Sequence, residues 1–394
     1  MKRAIGIVGS GPAGLMAASV LASHGLTVTV FEKNRGPGRK LLIAGASGLN
    51  ITNSLSEEDF AAQYEGSGID WRKLLRDFSP TDWLAFIHRL GLETFLGTSG
   101  RYFVREMKAS GLLRRWIDDL REKKVRFQYG TEWTGLTPQP DGRYLLSFAD
   151  GSQHEFGAVL LALGGASWLD INDTPQWPAI LTARGIHTVP FAAANCGFDV
   201  DWKPKFLREA AQQPLKNVVL SSPAGDRKGD ILITEYGVEG TPVYACGRTG
   251  TSYLDLKADL SEKDIQDRLD GVRENLAPLR RAQRALKIGV AAQALLYHHA
   301  PADALGSNAA LAHCLKHFPL VLLRPRPLSE AISSTGGIAL DEINADFSLK
   351  KTPGVYAVGE MLDWSAPTGG FLIQACVSQG YAAAQAIWQH ASPQ

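Results

Sequence analysis

Apolar runs separated by glycine turns and amphipathic stretches mark the elements of this chain. Residues 4–8, 27–31, 158–163 and 354–358 each form a short apolar run bounded by glycine or polar residues, as buried strands do. Residues 371–388 form a long stretch rich in alanine and glutamine, which predicts a helix. The first part of the chain and its C-terminal end therefore predict strands combined with helices.

The middle of the chain has a different pattern. Short alternating segments from about residue 190 to 258 predict a small β-rich domain. From about residue 262 to 318, Leu, Ile and Ala recur at spacings of three and four, which predicts helices. Basic residues are interspersed through that helical stretch, namely Arg273, Arg280, Arg281, Arg284 and Lys287. A nucleic-acid-binding face is one interpretation, but acidic residues flank the run, and we favour a solvated helix surface.

The turn between the first strand and the helix predicted after it carries a glycine fingerprint, Gly9-Ser10-Gly11-Pro12-Ala13-Gly14. The first glycine permits a tight turn, the second lets the backbone approach a pyrophosphate, and the third lets the helix pack closely. Glu32 closes the second strand, where a carboxylate accepts hydrogen bonds from a ribose and disfavours a 2′-phosphate. This combination predicts a dinucleotide-binding βαβ unit.

Two further glycine turns follow predicted strands. The run that ends at residue 163 leads into Gly164, and the C-terminal run leads into Gly359 and Glu360. Glycine at such positions lets the backbone approach a flat or phosphorylated ligand. The helix that starts after Gly370 offers unpaired N–H groups that can stabilise negative charge on a reduced flavin. Because the chain returns to its first domain at the C-terminal end, we predict FAD as the cofactor.

The predicted fold class is α/β. It comprises an FAD-binding Rossmann-like (doubly wound) domain and an inserted β-rich domain that carries a helical subdomain. We predict that residues 1–189 and 325–394 form the discontinuous FAD-binding domain. Residues 190–261 and 319–324 form the β-rich substrate or cap domain, and residues 262–318 form the helical subdomain.

Composition narrows the function classes. The chain has 394 residues, 45% of them hydrophobic, and a formal net charge of +1, so no general field attracts nucleic acid or an anionic membrane. No apolar run reaches the roughly 18 residues of a membrane span. The four cysteines lack C-x-x-C spacing, so neither a metal site nor a disulfide framework is predicted, and a cytoplasmic location is expected. Glycines and a proline interrupt the first 22 residues, which we interpret as fold rather than as a secretory signal.

Residues 39–53 follow the second strand and are predicted to form a glycine-rich loop. Arg39 and Lys40 can neutralise a pyrophosphate or the flavin edge. Small polar side chains that can supply hydrogen bonds follow them, namely Ser47, Asn50, Thr52 and Asn53. A solvated pair of cations beside a turn is the alternative interpretation of Arg39 and Lys40.

Taken in order, these segments resemble the BaiN-like family of bacterial FAD flavoproteins, also described as aminoacetone oxidase-like. The resemblance rests on the fingerprint, the segment 38–53, the turn at Gly164, the segment 229–240 and the C-terminal glycines. It implies a NAD(P)/FAD-dependent oxidoreductase in which the middle domain covers the flavin and shapes the substrate pocket. It also strengthens the assignment of Arg39 and Lys40 to the cofactor.

The chain departs from the family pattern at three positions. Leu49 stands where the family commonly has a cysteine, which excludes thiol chemistry there. Glu235 and Glu239 replace a histidine and a serine that family members tend to show. A carboxylate at either position can orient a cationic or hydroxylated substrate, and two exposed hairpin residues are the alternative.

The predicted cofactor-binding residues all lie in these segments. They are Gly9, Ser10, Gly11, Pro12, Ala13, Gly14, Glu32, Lys33, Arg39, Lys40, Asn50, Thr52, Ala162, Gly164, Gly359, Glu360, Gly370 and Phe371. No metal ligand is predicted, and the catalytic side chains stay unassigned because the hydride acceptor belongs to the flavin. The polar candidates near the substrate are Lys40, Glu235, Tyr236, Glu360 and Asp363.

The sequence thus predicts an FAD-dependent oxidoreductase that transfers a hydride between the flavin and a small organic substrate held between the FAD and β-rich domains. No second G-x-G-x-x-G follows a strand, so a dedicated NAD(P)H domain is not expected. NAD(P)H can still bind transiently over the flavin as electron donor. Two alternatives stay open: an amine oxidase-type flavoprotein that uses O₂, and a flavin-containing binding or RNA-associated protein with little turnover. Neither the substrate nor the oligomeric state follows from the sequence.

Overall fold

The computed structural model describes residues 4–45, 48–97, 99–169, 175–273 and 275–391. The strands in this part of the chain are β1 (Ala4–Val8), β2 (Thr27–Glu32), β3 (Asn50–Asn53), β4 (Thr94–Leu96), β5 (Arg101–Val104), β6 (Arg126–Tyr129), β7 (Trp133–Pro138), β8 (Tyr144–Phe148), β9 (Gln153–Phe156), β10 (Ala158–Leu161), β11 (Thr188–Ala194), β12 (Phe198–Asp199), β13 (Pro214–Ser222), β14 (Gly225–Ile233), β15 (Gly237–Glu239), β16 (Gly250–Asp255), β17 (Phe318–Leu322), β18 (Ser333–Ile338) and β19 (Val355–Ala357).

The helices in the same residues are α1 (Pro12–Ser23), α2 (Arg39–Ala44), α3 (Glu57–Ala61), α4 (Trp71–Asp77), α5 (Pro80–Arg89), α6 (Ala109–Glu122), α7 (Trp177–Thr182), α8 (Pro204–Ala210), α9 (Thr241–Cys246), α10 (Glu262–Asp270), α11 (Pro278–Leu286), α12 (Val290–His299), α13 (Asn308–Lys316) and α14 (Phe371–Ala391). A short 3₁₀-helix spans Leu340–Glu342. No helix in the described part of the chain is both long enough and apolar enough to cross a membrane.

The chain divides into two compact units. Residues 1–192 and 332–394 form the first unit, and residues 193–331 form the second. Each unit buries its own cluster of hydrophobic side chains. In the second unit, Ile265 and Leu311 on the helices share one core with Leu220 and Leu254 on the sheet. The three-part division predicted from the sequence stays a prediction.

A five-stranded parallel sheet forms the centre of the first unit, in the order β19-β10-β1-β2-β6. Strands β2 and β6 lie on one side of β1, and the later strands β10 and β19 lie on the other, so the strand order reverses at β1. In such sheets a ligand binds outside the carboxyl ends of the strands at the point of reversal. Strand β10 is buried along its whole length, as expected for a parallel sheet covered on both faces. The predicted α/β fold class with a doubly wound domain is confirmed.

Helix α14 packs closely against α1. A Cβ atom on Gly380 would lie 2.2 Å from the carbonyl oxygen of Ala13, so only glycine permits this approach. Side chains of α14 also fix a neighbouring loop, because Gln374 Nε2 and Ser378 Oγ both donate to the carbonyl of Phe78, at 3.2 and 2.8 Å. The C-terminal helix therefore holds the helix that follows the glycine fingerprint.

The prediction of a glycine-rich loop over residues 39–53 is wrong. Residues 39–44 form helix α2, and residues 50–53 form strand β3, which pairs with β5. The run Leu41-Leu42-Ile43-Ala44 has adequate helix propensity, and Gly38 begins the helix from a left-handed conformation with φ of 64°. Leu41 is buried, which anchors α2 to the first unit. Ser47, one of the predicted polar residues, lies outside the described residues.

The second unit is built on a six-stranded antiparallel sheet, in the order β12-β15-β14-β13-β16-β17. Helices α8 to α13 belong to the same stretch of chain. A salt-bridge network marks one end of this unit: Asp199 accepts from Arg326 Nη1 at 2.7 Å, and Arg326 Nη2 donates to Glu330 at 2.6 Å. Desolvation of Asp199 opposes its ionisation, but hydrogen bonds from Arg326 and Arg324 outweigh it and lower the pKa of this carboxyl.

Candidate functional site

Two positions of the turn from β1 to α1, Gly9 and Gly14, admit only glycine. Gly9 has φ of 107°, and a Cβ atom there would lie 2.1 Å from the carbonyl oxygen of Ala162 on the neighbouring strand exit. A Cβ on Gly14 would lie 2.2 Å from the carbonyl oxygen of Gly9. No side chain caps the start of α1, where Gly11 is the N-cap and Pro12 follows it. The N–H groups at this helix start are thus available to an anion, as a phosphate-binding turn requires.

Glu32 lies beside this turn at the end of β2. Its carboxylate accepts four hydrogen bonds: from the hydroxyl of Ser10, from the backbone N–H of Ser10 at 3.3 Å, from the backbone N–H of Asn34 at 2.9 Å and from the side-chain amide of Asn34 at 2.6 Å. The Ser10 hydroxyl also accepts from the N–H of Gly38 at 3.2 Å. These contacts fix the carboxylate at the turn. A bound hydroxyl must share or replace one of these protein donors, since a carboxylate offers about four lone-pair positions.

One cleft in the first unit brings most of the predicted cofactor-binding residues together. It contains ≈ 1220 Å³ of space not filled by atoms, part of which is open solvent. The predicted residues that line it are Gly9, Ser10, Gly11, Pro12, Ala13, Glu32, Lys33, Arg39, Lys40, Ala162, Gly164, Gly359 and Glu360.

Five predicted residues lie outside the lining of this cleft. Gly14 packs behind the turn, and Asn50 and Thr52 belong to β3. The Thr52 hydroxyl donates to Gln374 Oε1 at 2.8 Å, and a Cβ on Gly370 would lie 2.6 Å from the Thr52 backbone. The remaining residue, Phe371, starts α14 and accepts a hydrogen bond from the Tyr64 hydroxyl through its carbonyl at 2.8 Å. These residues connect β3 to the start of α14.

Two oppositely charged side chains face the cleft, Lys40 from α2 and Glu360 from the segment after β19. Lys40 Nζ donates to the carbonyl of Gly165 at 2.7 Å. Burial lowers the pKa of Lys40, and the charge of Glu360 opposes that shift in part. Burial raises the pKa of Glu360, and Lys40 opposes that shift. Burial therefore shifts the two pKa values toward each other and favours the neutral form of each group.

Cys376 on α14 also lines this cleft. Burial raises the pKa of its thiol, and the nearby carboxylate of Glu360 raises it further. A thiol with a raised pKa stays protonated at neutral pH and is a poor nucleophile. Cys376 therefore contributes shape and low polarity to the cleft wall rather than covalent chemistry.

The backbone that presents Glu360 is held on both sides. The N–H of Gly359 donates to Gln379 Oε1 at 2.7 Å, and its carbonyl accepts from Trp364 Nε1 at 2.8 Å. A Cβ on Gly359 would lie 3.2 Å from the Cβ of Ala13, which is tighter than an ordinary contact. Glycine at this position therefore allows the C-terminal turn to approach the first helix.

Several residues of the cleft are not predicted by any motif of the sequence. Trp133 and Trp177 line it, and each has a buried indole N–H without a hydrogen-bond partner among the described residues. A buried unpaired donor costs free energy unless a ligand satisfies it, so these two N–H groups are an independent sign of a bound molecule. Thr131, Trp168 and Gln176 also line the cleft. None of them belongs to a recognisable motif.

The other polar candidates lie elsewhere. Asp363 Oδ1 accepts from the N–H of Gly336 at 2.9 Å and lines a second, more open depression in the first unit. Glu235 is exposed in the second unit. In that unit the Tyr236 hydroxyl donates to Glu239, and the Arg326 guanidinium lies 4.2 Å from the centre of the Tyr236 ring. Burial raises the pKa of the Tyr236 hydroxyl, and its contact with Glu239 adds to that shift.

The sequence of residues 3–386 matches a protein family described as the HI0933-like protein Rossmann domain. The chain belongs to the HI0933-like family. This membership confirms the resemblance inferred from the sequence and, with it, FAD as the cofactor and FAD-dependent oxidoreductase as the enzyme class.

Members and neighbours of the HI0933-like family show how far the similarity extends. A 3-dehydro-bile acid delta(4,6)-reductase from Clostridium scindens is 25% identical, covering 97% of this chain and 98% of its own. A ribosomal RNA dihydrouridine synthase from Escherichia coli is 22% identical over 96% of each chain. Among solved structures, 3-ketosteroid delta1-dehydrogenase from Sterolibacterium denitrificans has a TM-score of 0.55 at 12% identity, covering 98% of this chain and 99% of its own, which shows a shared fold.

The residues of the cleft fit the cofactor of the HI0933-like family. The glycine turn and the uncapped start of α1 suit a pyrophosphate, and Glu32 suits a ribose. Lys33, Arg39 and Lys40 supply positive charge to the same cleft. The predicted assignment of individual residues to FAD stays a prediction.

Proposed function

We propose that this protein is a reductase in which FAD delivers a hydride to a carbon–carbon double bond conjugated with a carbonyl group in a small organic molecule. NAD(P)H is the proposed source of the electrons. The observation that carries this proposal is the Lys40–Glu360 pair, since addition across such a bond requires a proton as well as a hydride.

The names of the two curated relatives support this reaction class. Reduction of a 3-dehydro-bile acid and formation of dihydrouridine both describe the addition of two hydrogens to an unsaturated ring that carries a carbonyl. In the proposed reaction one hydrogen comes from NAD(P)H as a hydride by way of the cofactor, and the other comes from a protein group or water as a proton. The double bond becomes a single bond, and NAD(P)H becomes NAD(P)⁺.

The residues of the cleft have separate roles in this proposal. The turn at Gly9 and the start of α1 bind the phosphates, and Glu32 orients the ribose. When bound, FAD supplies the atom that accepts and donates the hydride. Lys40 holds a proton at Nζ, and its bond to the Gly165 carbonyl fixes the direction of that group. Glu360 exchanges protons with the same region of the cleft.

A small molecule suits this chain better than RNA does. The formal net charge of +1 gives no general attraction to a polyanion. On the basic helix α11, Arg281 donates to the side chain of Asn308 at 2.8 Å and to the carbonyl of Leu276 at 3.1 Å, so this guanidinium is engaged within the protein. Strongly salt-dependent retention of ribosomal RNA would contradict the small-molecule assignment.

The first test is anaerobic stopped-flow absorbance near 450 nm. Mixing the FAD-bound protein with NADH or NADPH is expected to bleach the flavin, and adding an α,β-unsaturated ketone is expected to restore its colour. Hydrogen peroxide release with an amine as electron donor, and no bleaching by either nicotinamide, would instead identify an oxidase.

Substitution of Lys40 tests its role in proton transfer. Lys40→Met is expected to slow reoxidation by the unsaturated ketone by about 100-fold or more, because a general acid commonly contributes that much. In the wild type that rate should fall as pH rises past the lowered pKa of Lys40, below the ordinary lysine value of about 10.4. Lys205→Met, which changes an exposed lysine of the second unit, is the matched control and should behave as wild type. Equal rates in Lys40→Met and the control would remove Lys40 from the mechanism.

A further inference from the structure

Three side chains of the second unit converge on one point at the surface, far along the chain from the glycine fingerprint. His313 and His317 lie one helical turn apart at the end of α13, and Glu262 is the first residue of α10. His313 Nδ1 lies 3.3 Å from Glu262 Oε2, and His317 Nδ1 lies 3.8 Å from the same oxygen. The three potential ligand atoms all lie within 4.8 Å of one another.

The fold fixes the positions of these three residues. His313 lies in the last turn of α13, and His317 is the residue that caps this helix, with a non-helical φ of −134°. The two imidazole rings lie side by side, with their centroids 4.6 Å apart. A capping box, in which Ser261 and Asp264 bond reciprocally, fixes the start of α10 and with it the position of Glu262. The buried residues Ile265 and Leu315 belong to the common core of the second unit. Glu262 and His313 therefore lie on packed helices, and His317 is held directly after one of them by its N–H, which donates to the carbonyl of His313 at 2.9 Å.

Lys316, the lysine of α13, does not pair with Glu262. Lys316 donates to the carboxylate of Asp255 and to the carbonyl of Leu260, the latter at 2.8 Å. Its ammonium group is thus bound to oxygen atoms other than those of Glu262. Lys316 therefore leaves the two imidazoles and the carboxylate of the cluster available as metal ligands.

The distances match the coordination of a small divalent metal. Zinc bonds to histidine nitrogen at about 2.0–2.1 Å and to carboxylate oxygen at about 2.0–2.2 Å, and the edge of a tetrahedron with such bonds is about 3.4 Å. The two nitrogen–oxygen distances, 3.3 and 3.8 Å, are close to that edge. Two nitrogens and one oxygen favour zinc and its late first-row neighbours over Mg²⁺ or Ca²⁺, which prefer oxygen ligands.

We propose that Glu262, His313 and His317 bind one Zn²⁺ ion, or a late first-row divalent ion in its place, and that water occupies the fourth position. The metal joins the start of α10 to the end of α13. Because it binds the folded chain, it stabilises the second unit by mass action in proportion to the logarithm of its concentration. This site does not depend on the proposed reaction and lies in the other compact unit.

The test uses the full chain without a histidine tag, stripped of metal by a chelator and then dialysed. Isothermal titration with ZnCl₂ is expected to show one saturable equivalent, and Co²⁺ should produce the visible absorption of a tetrahedral site. His317→Ala and Glu262→Gln should each weaken Zn²⁺ binding by at least about tenfold, since even residues that only support a ligand commonly contribute that much. Far-UV circular dichroism checks that both variants are folded, and His313→Ala gives a third, independent ligand removal.

The matched control is His88→Ala, which removes an exposed histidine of the first unit. It should bind Zn²⁺ as the wild type does. No saturable binding by the wild type would overturn the proposal. Binding that is unchanged in all three cluster variants, or that falls equally in His88→Ala, would overturn it as well, because the metal would then lie elsewhere.

Discussion

Gly9 and Gly11 stand two residues apart in one turn, yet an added methyl group would meet very different surroundings. At Gly9 it would lie 2.1 Å from the carbonyl oxygen of Ala162, and φ is 107°. At Gly11 it would meet none of the described atoms within 4 Å, although Gly11 lines the cleft. Gly9 is thus required by the fold, whereas Gly11 leaves space for a ligand.

This contrast gives a paired prediction. Gly9→Ala should lower the free energy of unfolding of the FAD-free protein by about 1–3 kcal/mol, the usual cost of a strained backbone conformation. Gly11→Ala should change that free energy by less than about 1 kcal/mol and should weaken FAD binding, because the new methyl group projects into the cleft. Urea denaturation and FAD titration of both variants measure the two effects. Gly11→Ala binding FAD as tightly as wild type would contradict the assignment of this turn to the pyrophosphate.

The individual residues show which parts of the site a sequence can reveal. The fingerprint and Glu32 were predictable because their residue types and spacing are required locally by a phosphate-binding turn. Trp133 and Trp177 were not, since their approach to the cleft depends on how β7 and α7 pack. The pair His313 and His317 does carry a local signal, histidines at helical spacing, but its third ligand, Glu262, is identified only by the packing of two helices.

At the scale of elements, the contact between α1 and α14 is decided by one glycine. Gly380→Ala would place a methyl carbon 2.2 Å from the carbonyl oxygen of Ala13. We expect the helices to separate slightly, with a loss of about 1–3 kcal/mol in the free energy of unfolding, as in other overpacked cores. The measurement is urea denaturation followed by circular dichroism.

A second glycine of the same unit provides the control for that experiment. A methyl group added at Gly36 would meet no atom within 4 Å among the described residues, and Gly36 has no positive φ. Gly36→Ala should therefore be neutral or stabilise the protein by up to about 1 kcal/mol, through the lower entropy of its unfolded chain. If both alanine variants lost the same stability, close helix packing would not be the cause.

Periodicity predicted some elements but not others. Strands β1, β2, β10 and β19 were expected from their apolar runs, because both faces of a parallel sheet are buried. The segment that forms α2 was predicted as a loop, since glycines flank it and only six residues are helical. A helix that short depends on tertiary contacts for its stability, and those contacts are not visible in a window of sequence.

At the scale of the whole molecule, the second unit is one continuous stretch of chain with its own core. We expect residues 193–331 to fold when expressed alone, because the sheet and helices of this unit share a single buried cluster. The fragment should show a cooperative urea transition. A Leu220→Asp fragment, which places a carboxylate at a fully buried position, is the control and should lose that transition. A wild-type fragment without a cooperative transition would contradict the prediction.

The parallel sheet can be completed only after the second unit has been synthesised. Strand β10 pairs with β1 on one side and with β19 on the other, and the whole second unit lies between β10 and β19 in the sequence. On the ribosome, β10 must therefore keep an open apolar edge until the whole second unit and β19 have emerged, and such edges attract other strands. Gly359 and Glu360 emerge later still, so a nascent chain has no complete cleft. We therefore expect a chain truncated before β19 to bind FAD weakly and to aggregate more readily than the full chain.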